Sequence, residues 1–113
     1  MNIITLCGST KFKKQFESVN AYLTLQGHIV LSVGVFPHAG HEVITSEQKH
    51  LLDKLHFKKI DMANEIFVID VDGYVGESTR KEIEYAINKK KPIHFYSKST
   101  FITTPAFKQL EKN

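Results

Sequence analysis

Cysteine is nearly missing from this chain. Cys7 is the only one among 113 residues, so no disulfide can form within it, and a reducing compartment is expected. Also missing is any apolar run approaching the ~20 residues that a membrane helix needs. The opening stretch, Met-Asn-Ile-Ile-Thr-Leu-Cys-Gly, has no basic leader, and its apolar run is too short for a signal peptide. These absences predict a cytoplasmic protein with no membrane partner. Charge of one sign is scarce as well. The net charge is +3 with neutral histidines, which Lys89, Lys90 and Lys91 alone would supply. No basic stripe interleaved with exposed aromatics is present, which argues against a nucleic-acid partner. Repeats and low-complexity segments are absent.

What is there is ordinary for a folded globule: 42% hydrophobic and 24% charged residues. The length suits one compact domain over residues 1–113 and is too short for two.

Ile3 to Cys7 is a short run of β-formers that runs straight into Gly8-Ser9-Thr10, so a buried strand is expected to end in a tight turn. Ser9 or Thr10 can cap a following helix. Phe12, Phe16, Val19 and Leu23 then share one helical face, and Gly27 stops it. His28 to Val35 reads as a second strand, buried on both faces. Pro37 to Val43 reads as a loop. Thr45 and Gln48 form a capping box ahead of a helix whose apolar positions are Leu51, Leu52, Leu55, Ile60 and Met62.

Glu65 to Asp70 is the clearest strand, and a loop with two glycines follows it, Val71 to Ser78. Thr79 and Glu82 offer another capping box, ahead of an apolar face of Ile83, Ala86 and Ile87. Asn88-Lys89-Lys90-Lys91 closes that helix with cations that favour its dipole, and Pro92 blocks its continuation. Ile93 to Tyr96 is a fourth strand, and Pro105 to Leu110 a short last helix.

Strands alternating with helices predict a parallel sheet with right-handed crossovers and helices on both faces. The expected fold is α/β, a small three-layer Rossmann-like or flavodoxin-like domain with four to five parallel strands. Ligands of such sheets bind outside the carboxyl ends of the strands, near the switch in strand order. Two loops meet that description: Cys7 to Lys11 after the first strand, and Asp70 to Thr79 after the third.

In the first loop, Gly8 permits close approach of a ligand, and Ser9, Thr10 and Lys11 at a helix start suit an anion. A glycine turn with a helix cap explains the same residues, and composition alone favours that explanation. Neither the Walker spacing nor Gly-x-Gly-x-x-Gly is present. In the second loop, Gly76, Ser78 and Thr79 lie at another helix start, with Glu82 one turn on. Glu82 reads either as a cap or as a carboxylate turned toward a ligand. Asp70 and Asp72, at the strand end, can orient a sugar hydroxyl or move a proton; both also suit solvated turn positions. Six histidines, among them His38, His41, His50 and His56, match no zinc spacing and read as loop and helix surface. No metal and no cofactor is expected. Cys7, at the end of a buried strand, reads as inert.

Leu6-Cys7-Gly8-Ser9-Thr10-Lys11, then Glu82-Ile83-Glu84-Tyr85-Ala86, then Lys91-Pro92-Ile93 opening a strand, resembles the nucleoside 2-deoxyribosyltransferase superfamily. Its relatives include the 2'-deoxynucleoside 5'-phosphate N-hydrolases. The resemblance runs in order from about Ile3 to Tyr96. It implies that Glu82 is the nucleophile at an anomeric carbon. Gly8, Thr10 and Lys11 would line the 5' side of a nucleoside or nucleotide, and Gly76 and Ser78 would contact its phosphate or sugar. It also implies a homo-oligomer, at least a dimer. An aspartate usual in that superfamily, in the helix before the third strand, falls on Phe57 here, with Asp61 one turn further and His56 adjacent. The second loop lacks the Gly-x-Gly of the hydrolase branch, and Glu77 there would repel a phosphate. Three expectations follow from this: N-glycosidic cleavage or transfer, a nucleotide-sensing module on the same fold, or NAD cleavage.

Overall fold

The structure is a computed structural model that describes residues 1–37 and 43–112. Four strands, β1 (Ile3–Gly8), β2 (Ile29–Leu31), β3 (Glu65–Ile69) and β4 (Ile93–Phe95), form one all-parallel sheet in the order β2-β1-β3-β4. The helices are α1 (Lys13–Leu25), α2 (Ser46–Met62), α3 (Glu77–Asn88) and α4 (Pro105–Glu111). The expected α/β architecture is therefore present, with four parallel strands. Among the described residues no helix is long and apolar enough to cross a membrane.

Alternation along the central strands builds two cores. Ile4 and Leu6 of β1, with Phe67 and Ile69 of β3, meet Phe16, Val19 and Leu23 of α1 and Phe107 of α4. Cys7 of β1, with Ile66 and Val68 of β3, meets Ile60 of α2 and Ala86 of α3. Both faces of β1 and β3 are thus buried, as near-continuous apolar runs in a covered parallel sheet require.

The second strand is shorter than expected, and its residues are exposed or half-buried. It lies at the sheet edge, paired with β1 alone through Ile3↔Ile29 to Thr5↔Leu31. β4 stops at Phe95, and Tyr96 opens a 3-10 turn.

The caps show which local signals were sound. Thr45 Oγ1 accepts from the Gln48 amide at 3.0 Å and Gln48 Oε1 accepts from the Thr45 amide at 2.9 Å, the expected capping box. The Thr79–Glu82 box does not form. The helix starts earlier, with Gly76 at its cap position, and Thr79 is buried inside its first turn. The apolar face expected for α2 is also corrected. Leu51, Leu55 and Met62 are exposed, while His56 and Ile60 are buried. Ile87 of α3 is exposed as well. Only the last turns of α2 rest on the sheet, so its inner face elsewhere borders open space.

Lys59 fastens α2 to two strands. Its Nζ donates to the Ser32 carbonyl at 2.7 Å, and its own carbonyl accepts from Thr5 Oγ1 at 2.8 Å.

Gly8 is dictated by a neighbour. It pairs with Ile69, has φ 151°, and a Cβ there would lie 2.8 Å from the Ile69 carbonyl oxygen. Gly8→Ala is therefore expected to destabilise the fold by about 1–3 kcal/mol, read as a lowered Tm in thermal unfolding. Gly34→Ala, where a Cβ meets nothing within 4 Å, should change stability by no more than about 0.5 kcal/mol. Equal melting of the two variants would refute the close approach.

Candidate functional site

Beyond the carboxyl ends of β1 and β2, and beneath the start of α3, lies a cleft of about 700 Å³. β1 and β3 are adjacent while the chain connects them through the outer strand β2 and α2, so the cleft sits at the switch in strand order. Gly8, Ser9 and Thr10 enter it from the first loop, and Gly76, Ser78 and Thr79 from the second, with Glu82 behind them. These seven expected residues are brought together.

Three others are not. Lys11 lies outside the lining, its Nζ 3.6 Å above the ring of Tyr74, which itself borders the cleft. Asp70 is buried and accepts from the Ser97 amide at 2.8 Å and from Ser97 Oγ at 2.7 Å, so it holds the turn after β4. Asp72 is exposed in the 3-10 turn Val71–Gly73 with φ 54°. Neither aspartate lines the cleft.

The start of α3 faces the cleft without a side-chain cap, because Gly76 has none to offer. Its first N–H groups point along the positive end of the helix dipole. Lys49 of α2 approaches this start, donating to Ser78 Oγ at 3.4 Å.

The floor joins three elements. Cys7 is fully buried at the end of β1, His56 on α2 is 6% exposed, and the Glu82 side chain on α3 is 12% exposed. One donor atom from each lies within 4.8 Å of the other two. The Cys7 thiol lies against the Glu82 carboxyl and favours its ionised form. His56 Nε2 sits 4.0 Å from Glu82 Oε1 and has no hydrogen-bond partner among the described residues. Asp53, one turn before His56, also lines the cleft, where both its carboxylate oxygens accept from Lys49 Nζ at 3.0 Å.

Burial, followed by the negative charge of Asp53, pushes Glu82 up to about 7 against the Cys7 thiol and the charge of Lys49. Burial, followed by the charge of Lys59, pulls His56 down to about 4; the Leu6 backbone carbonyl and Asp53 act the other way. Burial and the charge of Glu82 raise the Cys7 thiol. Burial thus favours the neutral form of both His56 and Glu82. Between these values the floor carries no charge.

Phe57 and Asp61 belong elsewhere. Phe57 stacks at a tilt on Tyr85 with centroids 4.8 Å apart, and Asp61 accepts from the Tyr85 hydroxyl at 2.6 Å. The carboxylate of α2 that reaches the cleft is Asp53. The surface reading of the histidines is corrected for His56, which is buried; His50 is exposed, and His38 and His41 lie outside the described residues. Asp53 and His56 were missed as site residues. The available signal was a polar stripe at helical spacing, Lys49, Asp53, His56 and Lys59, within a helix otherwise rich in leucine. Compared with known proteins, the chain matches no family model, no curated protein and no solved structure.

The two titrations have opposite signs. Glu82 is raised from 4.5, so its contribution to stability is present below pH 4.5 and lost as pH rises through about 7. His56 is lowered from 6.5, so its contribution is present above pH 6.5 and lost as pH falls through about 4. Each amounts to something on the order of 3 kcal/mol. The two slopes cancel where they overlap, so in metal-free buffer denaturant midpoints should be nearly flat between pH 4.5 and 6.5. Glu82→Gln should unmask the His56 slope, with midpoints that rise from about pH 4 to 6.5, and His56→Gln should unmask the Glu82 slope, with midpoints that fall from pH 4.5 to about 7; a variant that keeps the flat profile contradicts the assignment.

Proposed function

We propose that the protein cleaves, or transfers across, the N-glycosidic bond of a nucleoside or nucleoside 5'-monophosphate, with Glu82 as nucleophile. One observation carries the reading: the Glu82 carboxyl is sunk in the floor of a cleft at the switch point of a parallel sheet. The cleft volume falls in the range of about 300–1,000 Å³ usual for small-ligand sites.

In this reading a Glu82 carboxylate oxygen bonds to the anomeric carbon as the carbon–nitrogen bond breaks. The electron pair leaves with the base, which takes up a proton. Water then opens the glycosyl ester and releases Glu82, or a second base displaces it. Positive charge develops on the sugar at the transition state, and an anion held against it is stabilising. The uncapped start of α3, with Gly76, Ser78 and Thr79, suits a phosphate or sugar hydroxyls. The ion-paired Lys49 and Asp53 suit sugar hydroxyls on the opposite wall.

Incubation with a panel of nucleosides and nucleoside monophosphates should release free base, followed by chromatography. Glu82→Ala should lower the rate by at least about a hundredfold, with the fold checked by circular dichroism. Full activity in Glu82→Ala removes the nucleophile assignment. Thermal stabilisation by a nucleotide without release of any base would mark a sensing module instead, and release of nicotinamide from NAD would mark a NAD-cleaving enzyme.

A further inference from the structure

We infer that Cys7, His56 and Glu82 form a binding site for a borderline-soft divalent cation, zinc in the first place, with its remaining coordination position open to the cleft. The three residues come from β1, α2 and α3, so only the folded chain assembles them. Their donor atoms, a thiol sulfur, an imidazole nitrogen and a carboxylate oxygen, lie within 4.8 Å of one another. Zinc bonds of about 2.0–2.3 Å in a tetrahedron imply donor separations of roughly 3.3–3.8 Å. His56 Nε2 and Glu82 Oε1 are already 4.0 Å apart, so small side-chain rotations close the set.

The independent observation is His56 Nε2. Its residue is 6% exposed, and the nitrogen has no hydrogen-bond partner among the described residues. A buried polar atom left unpaired costs about 1–3 kcal/mol, and here it is aimed at a carboxylate without bonding to it. A cation between them satisfies the nitrogen, the carboxylate and the sulfur together.

The donor set selects the ion. Sulfur and imidazole suit zinc and its neighbours and disfavour magnesium and calcium, which take oxygen. Cys7 binds as thiolate, its proton passing to solvent. Glu82 and His56 both border the cleft, so the open position faces that space. Binding does not depend on the glycosidase reading. If both hold, a bound ion and a glycosylated Glu82 are exclusive uses of one carboxylate, and zinc silences the reaction.

Cobalt(II) titration of the full chain tests the site, with zinc displacement afterwards. One cobalt should bind per chain, with tetrahedral visible bands and a thiolate-to-cobalt charge-transfer band in the near ultraviolet. Cys7 is the only cysteine, so that band assigns it without any substitution. His56→Gln and Glu82→Gln should each weaken binding by roughly tenfold or more. A spectrum without the thiolate band overturns the inference. So does half an ion per chain, which would mean thiolates shared between two copies. Unchanged affinity in both variants overturns it as well.

Discussion

Successive side chains of β1 enter different cores, and the position of everything at the cleft follows from that alternation. Ile4 and Leu6 meet α1 and α4, while Cys7 points to the opposite face with buried Thr5. The strand is paired along both edges, to β2 and to β3. A slip of one residue would turn every side chain to the other face. Leu6 would then press under α3, and Cys7 would sit among the aromatic residues around Phe16 and Phe107. It would also carry Gly8 away from Ile69, where, alone among the described glycines, a Cβ has no room. Register, glycine and site are thus one constraint.

Much of the fold was legible because it rests on local chemistry. Ile3 to Cys7 and Glu65 to Ile69 are unbroken apolar runs, and Thr45 with Gln48 caps α2 as their spacing requires. The failures share a cause, which is that periodicity does not say what a helix faces. Leucine spacing in α2 promised a buried stripe, yet the helix borders a cleft over most of its length and turns Lys49, Asp53 and His56 inward. Thr79 and Glu82 matched a capping pattern, but the helix had already begun three residues earlier and needed no cap there. Asp70 looked available at a strand end and instead holds Ser97. Nothing local in the sequence tells Cys7 that His56 and Glu82 are its neighbours; only strand order does.

The floor is electrically quiet and held that way by burial. A thiol, a neutral imidazole and a protonated carboxyl can share a confined space that three charges could not. Charge is stationed instead on the walls, where Lys49 and Asp53 neutralise each other at 3.0 Å. A ligand entering the cleft therefore meets dipoles and paired ions before it meets Glu82. The first unbalanced charge at the floor arises when Glu82 ionises, close to neutral pH.

Lys59 adds a mechanical link between these parts. Its amine reaches Ser32, the residue just past β2, and its carbonyl is tied to Thr5 in the middle of β1. His56 lies one turn earlier on the same helix, and the Val33 to Val35 segment that follows Ser32 forms a side of the cleft. The wall and the floor of the cleft therefore hang from one and the same turn of α2.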